Sequence, residues 1–173
     1  RNGEEKKGAP IFIDANILAS KTELDWLHYL TEANPGMYEL YTSRQVLEEM
    51  TRKFIRKVDN VSNPTEEQRD FLNTKIDEVL AGRGTSLKSE DGRTKGEQAA
   101  IARLRLLSYT FKPGNIFGED LNQGDRSEFT GKDPDDFHVH NGAVKASAKY
   151  LVTNNRKTDF TANDDEEIYK IKT

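Results

Sequence analysis

Short apolar runs along this chain alternate with longer stretches in which apolar residues recur every three or four positions. Residues 11–13, 38–41 and 150–153 have the pattern of short buried strands, and Glu167–Lys172 predicts an edge strand. Helical spacing predicts helices over 22–33, 43–57, 64–82 and 96–109, and from Asp135 or Asp136 onward. Strands that alternate with helices predict an α/β layer fold with a central, mainly parallel sheet.

Polar signals mark where two of these helices begin and where the periodic pattern is lost. Ser43 is a suitable N-cap for the helix that follows the second strand. Asn63 followed by Pro64 predicts the next helix start, with the asparagine as cap and the proline in the first turn. Residues 82–96 and 112–134 are polar and lack periodicity, so we expect long insertions there.

Composition narrows the class of protein. The 173 residues suggest one domain over 10–173, preceded by a flexible segment over 1–9. The absence of cysteine excludes a disulfide framework, zinc fingers and a thiol nucleophile. No apolar run approaches the roughly 18 residues of a membrane span, and the polar start is unlike a signal peptide, so we expect a cytoplasmic protein without a membrane partner. The net charge of −4 argues against a broadly basic surface but leaves room for a local basic patch.

Acidic and amide side chains follow the predicted strands. They are Asp14 after the first strand, Glu48 and Glu49 after the second, Asp136 at a helix start, and Asn155 and Asp159 after the strand over 150–153. Ligands of open parallel sheets bind beyond the carboxyl ends of the strands, where these side chains would meet. Carboxylates held close together repel one another unless a cation lies between them. Oxygen ligands without cysteine favour Mg²⁺ or Mn²⁺, ions suited to phosphodiester hydrolysis.

Each of these residues also has an ordinary structural interpretation. Asp136 alone would be a helix N-cap, the two glutamates a solvated helix face, and Asp159 a turn cap. Asn16 would hydrogen-bond within its own turn. His138 and His140 stand two positions apart and do not share a helix face, which disfavours a zinc site.

Three segments, in order along the chain, resemble the PIN-domain nucleases. Residues 11–18 are a hydrophobic strand followed by Asp-Ala-Asn. Residues 43–50 are similar to the family's helix in which a metal-binding acid stands six residues after a serine, which selects Glu49 over Glu48. Residues 133–160 match one subgroup in order and spacing, and the second residue of their Asp-Asp pair, Asp136, matches its metal ligand.

The resemblance implies a fold, an activity and a set of residues. The implied fold is a PIN-like three-layer α/β/α sandwich. The implied activity is that of a Mg²⁺- or Mn²⁺-dependent endoribonuclease, the toxin of a prokaryotic toxin–antitoxin pair. Its partners would be an RNA substrate and a cognate antitoxin protein, and a homodimer is a further candidate assembly. The implied catalytic and metal-binding residues are Asp14, Glu49, Asp136 and Asp159, supported by Asn16, Ser43, Thr153 and Asn155, with Glu97 as a less favoured acid.

One departure from the family pattern keeps other functions open. Where many family members carry an aspartate, this chain has Asn155, which accepts a hydrogen bond but brings no charge. Asp159 lies near enough in sequence to supply that charge. The departure also leaves open a PIN-fold module that binds RNA or protein without cleaving. A haloacid-type phosphatase is disfavoured, because it needs a second aspartate where Asn16 stands.

The helix after Ser43 also carries basic residues at spacings of four. Arg52 precedes Arg56, and Lys53 precedes Lys57, so the four side chains follow one side of the predicted helix. The ordinary interpretation is a solvated face. The functional interpretation is a basic strip that contacts RNA phosphates.

Overall fold

The fold is described from a computed structural model that covers residues 8–127, 129–160 and 170–172. The backbone forms two compact units. The first combines the chain up to Tyr41 with the chain from Gly124 onward, and the second is Thr42–Gln123. The expectation of one domain over 10–173 stays a prediction. Most of the predicted flexible segment lies outside the described residues, and Ala9 already begins the first strand.

Five strands and six α-helices are found within the described ranges. The strands are β1 (Ala9–Ile13), β2 (Tyr38–Ser43), β3 (Ile116–Phe117), β4 (Tyr150–Val152) and β5 (Lys170–Lys172). The helices are α1 (Ala15–Ala19), α2 (Lys21–Ala33), α3 (Arg44–Val58), α4 (Glu66–Leu80), α5 (Lys95–Thr110) and α6 (Phe137–Lys145). All strand pairings in these ranges are parallel. The predicted α/β class with a mainly parallel sheet is therefore confirmed.

The sheet of the first unit has the strand order β2–β1–β4–β5. Phe12 of β1 pairs with Tyr41 on one side and with Leu151 on the other. Because β1 and β4 are adjacent and parallel, their carboxyl ends lie side by side. The predicted terminal edge strand is present as β5, while residues 167–169 of that prediction lie outside the described residues.

Strand β1 is buried at its carboxyl end, with Phe12 and Ile13 fully covered. Such a continuous apolar run is typical of a strand covered on both faces. Helix α6 packs directly against this strand, because Gly142 faces the Phe12 ring and a Cβ atom there would collide with it. The glycine therefore sets how closely α6 approaches β1.

Side-chain caps explain where the helices of the second unit begin. Ser43 caps α3 as predicted, since its hydroxyl accepts a hydrogen bond from the Val46 N–H at 3.3 Å. The predicted start of α4 is wrong. Thr65 rather than Asn63 is the N-cap, because Thr65 and Gln68 form a capping box that satisfies two backbone N–H groups at once.

Both predicted insertions contain local structure. In 82–96, a 3₁₀ turn over Gly84–Ser86 leads to the buried side chain of Leu87. In 112–134, strand β3 pairs with the last two residues of β2. Because β3 has only two residues, it is too short to show the alternation of apolar and polar positions by which a strand is predicted. No helix among the described residues has the length and apolar character needed to cross a bilayer.

Candidate active site at the ends of β1 and β4

Asp14 is held rigidly where β1 ends. Its backbone N–H donates to the Val152 carbonyl at 3.0 Å, which continues the ladder between β1 and β4 by one residue. Its carboxylate accepts from the Ala15 N–H at 2.7 Å and from the Thr153 hydroxyl at 2.8 Å. The side chain is only 2% exposed. In the described part of the chain its side-chain partners are neutral groups, so its negative charge is oriented but not cancelled by a basic side chain.

Asn155 connects three other site residues. Its backbone N–H donates to the Thr153 hydroxyl oxygen at 3.0 Å. Its side-chain Oδ1 accepts from Asn16 Nδ2 at 3.0 Å. Its Nδ2 donates to both carboxylate oxygens of Asp136, each at 3.3 Å. Asn155 therefore joins Asp14, through Thr153, and Asp136 into a single polar network, which we call the β1–β4 network.

The structure argues against the interpretation of Asp136 as a helix cap. A 3₁₀ turn over Pro134–Asp136 precedes α6, and its cap is Asp133, whose carboxylate accepts from the Asp135 N–H at 2.9 Å. Among the described residues, the Asp136 side chain makes no capping hydrogen bond to α6. It accepts from the Asn155 amide instead. Asp136 is thus oriented by a residue beyond β4 rather than by its own helix.

Asp159 makes the local contact expected of a turn cap. Its Oδ2 accepts from the Arg156 N–H at 3.1 Å, across a 3₁₀ turn over residues 157–159. Gly131 lies against the Asp159 carbonyl, where a Cβ atom would collide. The catalytic and metal-binding role of Asp159 stays a prediction.

Glu49 belongs to helix α3 of the second unit. Its side chain is 36% exposed and lies 3.5 Å from the Lys53 ammonium group. Its neighbour Glu48 is 31% exposed and lies 3.8 Å from the Arg44 guanidinium group. The two glutamates are therefore matched in exposure and in type of partner, and the sequence register alone selects Glu49. Ser43 has a helix-capping contact in the same unit.

Glu97 has a structural role in the second unit. It is 3% exposed, and its carboxylate accepts from the Thr94 N–H at 3.2 Å as the second half of a capping box at the start of α5. The same carboxylate accepts from the Arg93 guanidinium at 3.1 Å and from the Gln68 Nε2 amide at 3.3 Å. The hydrogen bond that Arg93 donates to Glu67 is the largest cause that raises the Arg93 pKa above its ordinary value.

The basic strip on α3 is largely open to solvent. Arg52, Arg56 and Lys57 are exposed, whereas Lys53 is half-buried and paired with Glu49. Exposed guanidinium and ammonium groups are available to phosphates. The predicted RNA contacts of these residues stay a prediction.

The β1–β4 network contains oxygen ligands of the type that Mg²⁺ and Mn²⁺ prefer. No group of three or more Asp, Glu, His or Cys side chains is arranged to hold a metal ion in the ranges that the structure describes. Mg²⁺, however, is usually held by one or two carboxylates, with water and substrate phosphate completing its shell. Asp14 and Asp136 are the two carboxylates of this network.

Comparisons of this chain with models of known protein families, with curated proteins and with solved structures found no match. The assignment of the site therefore rests on its own contacts. Sequence reasoning placed Asp14, Asp136, Asn155 and Asp159, with Glu48 or Glu49, at one edge of the sheet, but it missed the hydrogen bond from Asn155 to Asp136. It also missed the capping box of Glu97, although the Thr-x-x-Glu spacing at 94–97 is a readable signal for one.

Proposed function

We propose that this protein is a Mg²⁺- or Mn²⁺-dependent endoribonuclease that hydrolyses phosphodiester bonds in RNA. One observation supports the proposal most strongly. Two carboxylates, Asp14 and Asp136, belong to one network built from Thr153, Asn155 and Asn16 at the ends of adjacent parallel strands. That edge of a parallel sheet is where ligands of α/β proteins bind.

Each residue of the network has a distinct task under this proposal. Asp14 and Asp136 would hold the metal ion. Thr153 fixes the rotamer of Asp14 by donating to Oδ2. Asn155 keeps the Asp136 carboxylate oriented, and Asn16 holds the Asn155 amide in place. A bound divalent ion would supply activation of the attacking water and neutralisation of the charge on the phosphate.

The resemblance to PIN-domain toxins suggests a cellular role for the proposed nuclease. A toxin of a toxin–antitoxin pair would act on cytoplasmic RNA and be held inactive by a protein partner. The exposed side chains Arg52, Arg56 and Lys57 of α3 would contact the RNA backbone. Glu49 completes the proposed residue set, on the strength of the sequence motifs. Asp159 is a further candidate from the same motifs, and its observed contact is that of a turn cap.

A second candidate function is a PIN-fold module that binds RNA or protein without cleaving it. One observation favours it: Asn155 stands where the family pattern has a charged residue. Such a module would keep the β1–β4 network as a binding surface for polar ligands.

Incubation of purified protein with mixed RNAs, with Mn²⁺ or with EDTA, separates the two functions. The nuclease proposal expects Mn²⁺-dependent fragments that are absent with EDTA and with Asp14→Asn. RNA that stays intact with every metal, but binds, would support the non-cleaving module. Turnover of p-nitrophenyl phosphate without RNA cleavage would instead indicate a phosphatase.

A further inference from the structure

The first unit contains an apolar groove of about 280 Å³, and its lining residues Ile17 and Asn154 are sequence neighbours of Asn16 and Asn155. Its floor is formed by side chains of α1, α2 and β4, namely Ile17, Leu27, Leu30 and Val152. The volume is close to the roughly 300 Å³ at which small-molecule sites begin. One lining residue, Ile17, directly follows Asn16, which belongs to the β1–β4 network.

An exposed aromatic residue, Trp26, lines this groove, and the exposed Tyr29 lies beside it. Trp26, which lines it, is 67% exposed, and Tyr29 is 65% exposed. Their ring centroids lie 6.2 Å apart in an edge-to-face arrangement. Exposed aromatic rings are the surfaces on which proteins stack unpaired bases, because every base offers a π face.

The groove also carries polar groups that an entirely apolar occupant would leave unsatisfied. Glu23 and Asn154 line it, and the Asn154 Nδ2 donates to the Glu23 Oε2 at 3.3 Å. Within the described ranges, the Glu23 Oε1 accepts no hydrogen bond. Covering a carboxylate oxygen with an apolar peptide side chain would cost free energy. A base edge that presents N–H donors would satisfy the same oxygen.

We propose that this groove binds one unpaired base of an RNA strand, with guanine preferred. The base would stack on Trp26, and the adjacent N1–H and N2–H groups of guanine would face Glu23. Asn154 directly precedes Asn155, so the phosphate next to the captured base would lie at the β1–β4 network. The choice of RNA as ligand rests on the proposed nuclease function, but capture of the base requires neither metal nor cleavage.

The single tryptophan of the chain makes the test direct, because Trp26 is the only source of indole fluorescence. Wild-type protein in EDTA is titrated with three oligomers: oligouridylate with one central guanosine, plain oligouridylate, and an abasic ribose-phosphate oligomer. Saturable quenching is expected from both base-containing oligomers, with tighter binding of the guanosine oligomer. The abasic oligomer should leave the fluorescence unchanged.

Variants assign the contacts, with binding followed by anisotropy of the dye-labelled guanosine oligomer. Trp26→Ala should weaken binding roughly 5- to 150-fold, the range expected when one base no longer stacks on an aromatic ring. Glu23→Gln should remove the preference for guanosine and leave binding of oligouridylate nearly unchanged. Tyr109→Ala removes an equally open aromatic ring from the second unit and should change neither affinity.

The outcomes distinguish this inference from the nuclease proposal. Base-dependent quenching without RNA cleavage would support the groove and overturn the nuclease. Cleavage without base-dependent quenching, and with unchanged binding by Trp26→Ala, would overturn the groove. A dimer in sedimentation experiments that Trp26→Ala dissociates, and that the guanosine oligomer does not, would assign the surface to a second copy of the chain and also overturn the inference.

Discussion

Asp14 of the first unit and Glu97 of the second are similarly buried acids held by opposite kinds of partner. Glu97 faces the Arg93 guanidinium and closes a capping box, so its charge is matched and its hydrogen bonds serve a helix start. Asp14 accepts only from a backbone N–H and a hydroxyl among the described residues, and it is linked through Thr153 and Asn155 to a second carboxylate.

The difference shows that burial alone does not distinguish a structural acid from a functional one. A buried charge that a basic side chain matches is already satisfied within the fold. A buried carboxylate that neutral donors orient, near another carboxylate, keeps its charge available for a cation from outside. The comparison therefore assigns a structural role to Glu97 and supports the proposal that Asp14 binds a ligand.

The largest expected effect comes from exchanging each acid for its amide. Asp14→Asn should lower RNA cleavage by about 100-fold or more, since the amide brings no charge to a metal, while asparagine still serves as a helix cap. Glu97→Gln should leave cleavage unchanged and lower the free energy of unfolding by about 1–2 kcal/mol, because a charged hydrogen bond is replaced by a neutral one. Initial rates of RNA cleavage with Mn²⁺ measure the activity of both variants, and urea unfolding measures their stability. A folded Glu97→Gln protein without activity would reverse the assignment.

The neighbouring glutamates of α3 extend the comparison to the second unit. Glu49→Gln should reduce cleavage by at least about 10- to 100-fold, the loss seen when only a residue that orients a metal ligand is removed, whereas Glu48→Gln should not. The pair is well matched, because both side chains are partly exposed and each lies near a basic residue. The ratio kcat/KM for the two variants decides between them, and equal values would return Glu49 to a solvated helix face.

Asn155→Asp sharpens the contrast between matched and unmatched charge. The substitution removes the hydrogen bonds donated to Asp136 and adds a like charge beside it, so the free energy of unfolding without metal should fall by about 1–3 kcal/mol. Mn²⁺ should then raise the melting temperature more than in the wild type, because the added carboxylate attracts the ion. Thermal unfolding with and without Mn²⁺ measures this, with Asn122→Asp as the exposed control. If Mn²⁺ raises the melting temperature of both variants equally, position 155 does not take part in metal binding.

Substitutions in the basic strip on α3 test whether exposed charges, rather than buried ones, contribute to RNA binding. Arg52→Ala combined with Arg56→Ala should flatten the dependence of RNA affinity on salt, by about 0.7 in log–log slope for each phosphate that the variant no longer neutralises. Affinity for Mn²⁺ should not change. Arg83→Ala, which removes an exposed arginine elsewhere in the second unit, is the control. If the slope is the same in all three proteins, α3 presents a solvated face.

The smallest effect is expected from Asp159→Asn. Asparagine accepts the Arg156 N–H as well as aspartate does, so cleavage should change by about twofold or less if the turn cap is the residue's main contribution. Cleavage rates and Mn²⁺ titration by calorimetry measure the outcome. Weaker Mn²⁺ binding together with a large drop in activity would show that Asp159 supplies the charge that Asn155 lacks.

Local signals in the sequence predicted much of the fold. The apolar run ending at Asp14 placed β1, and Ser43 placed the start of α3. The choice of Asn63 as a cap failed because Thr65 and Gln68 together satisfy two backbone groups, which outweighs a single asparagine followed by proline. Helix α1 and strand β3 have five and two residues, and neither is long enough to show a period.

The contacts of the candidate site were less predictable, for a physical reason. The hydrogen bond between Asn16 and Asn155 joins residues 139 positions apart, and that between Asn155 and Asp136 joins residues 19 positions apart. Motif spacing indicated that these residues belong together. Which amide hydrogen meets which oxygen depends on the packing of β4 and α6, and local propensity contains no information on that packing.

The close approach of Gly142 to the Phe12 ring has a genetic consequence. A methyl group there would push α6 away from β1 and carry Asp136, one residue before the helix, out of reach of the Asn155 amide. In a mutational scan that selects inactive variants, substitutions at Gly142 would therefore be recovered as often as substitutions at Asp14 and Asp136, although glycine has no side chain. The proposed site geometry would therefore depend on the missing Cβ atom at position 142 as much as on the carboxylates of Asp14 and Asp136.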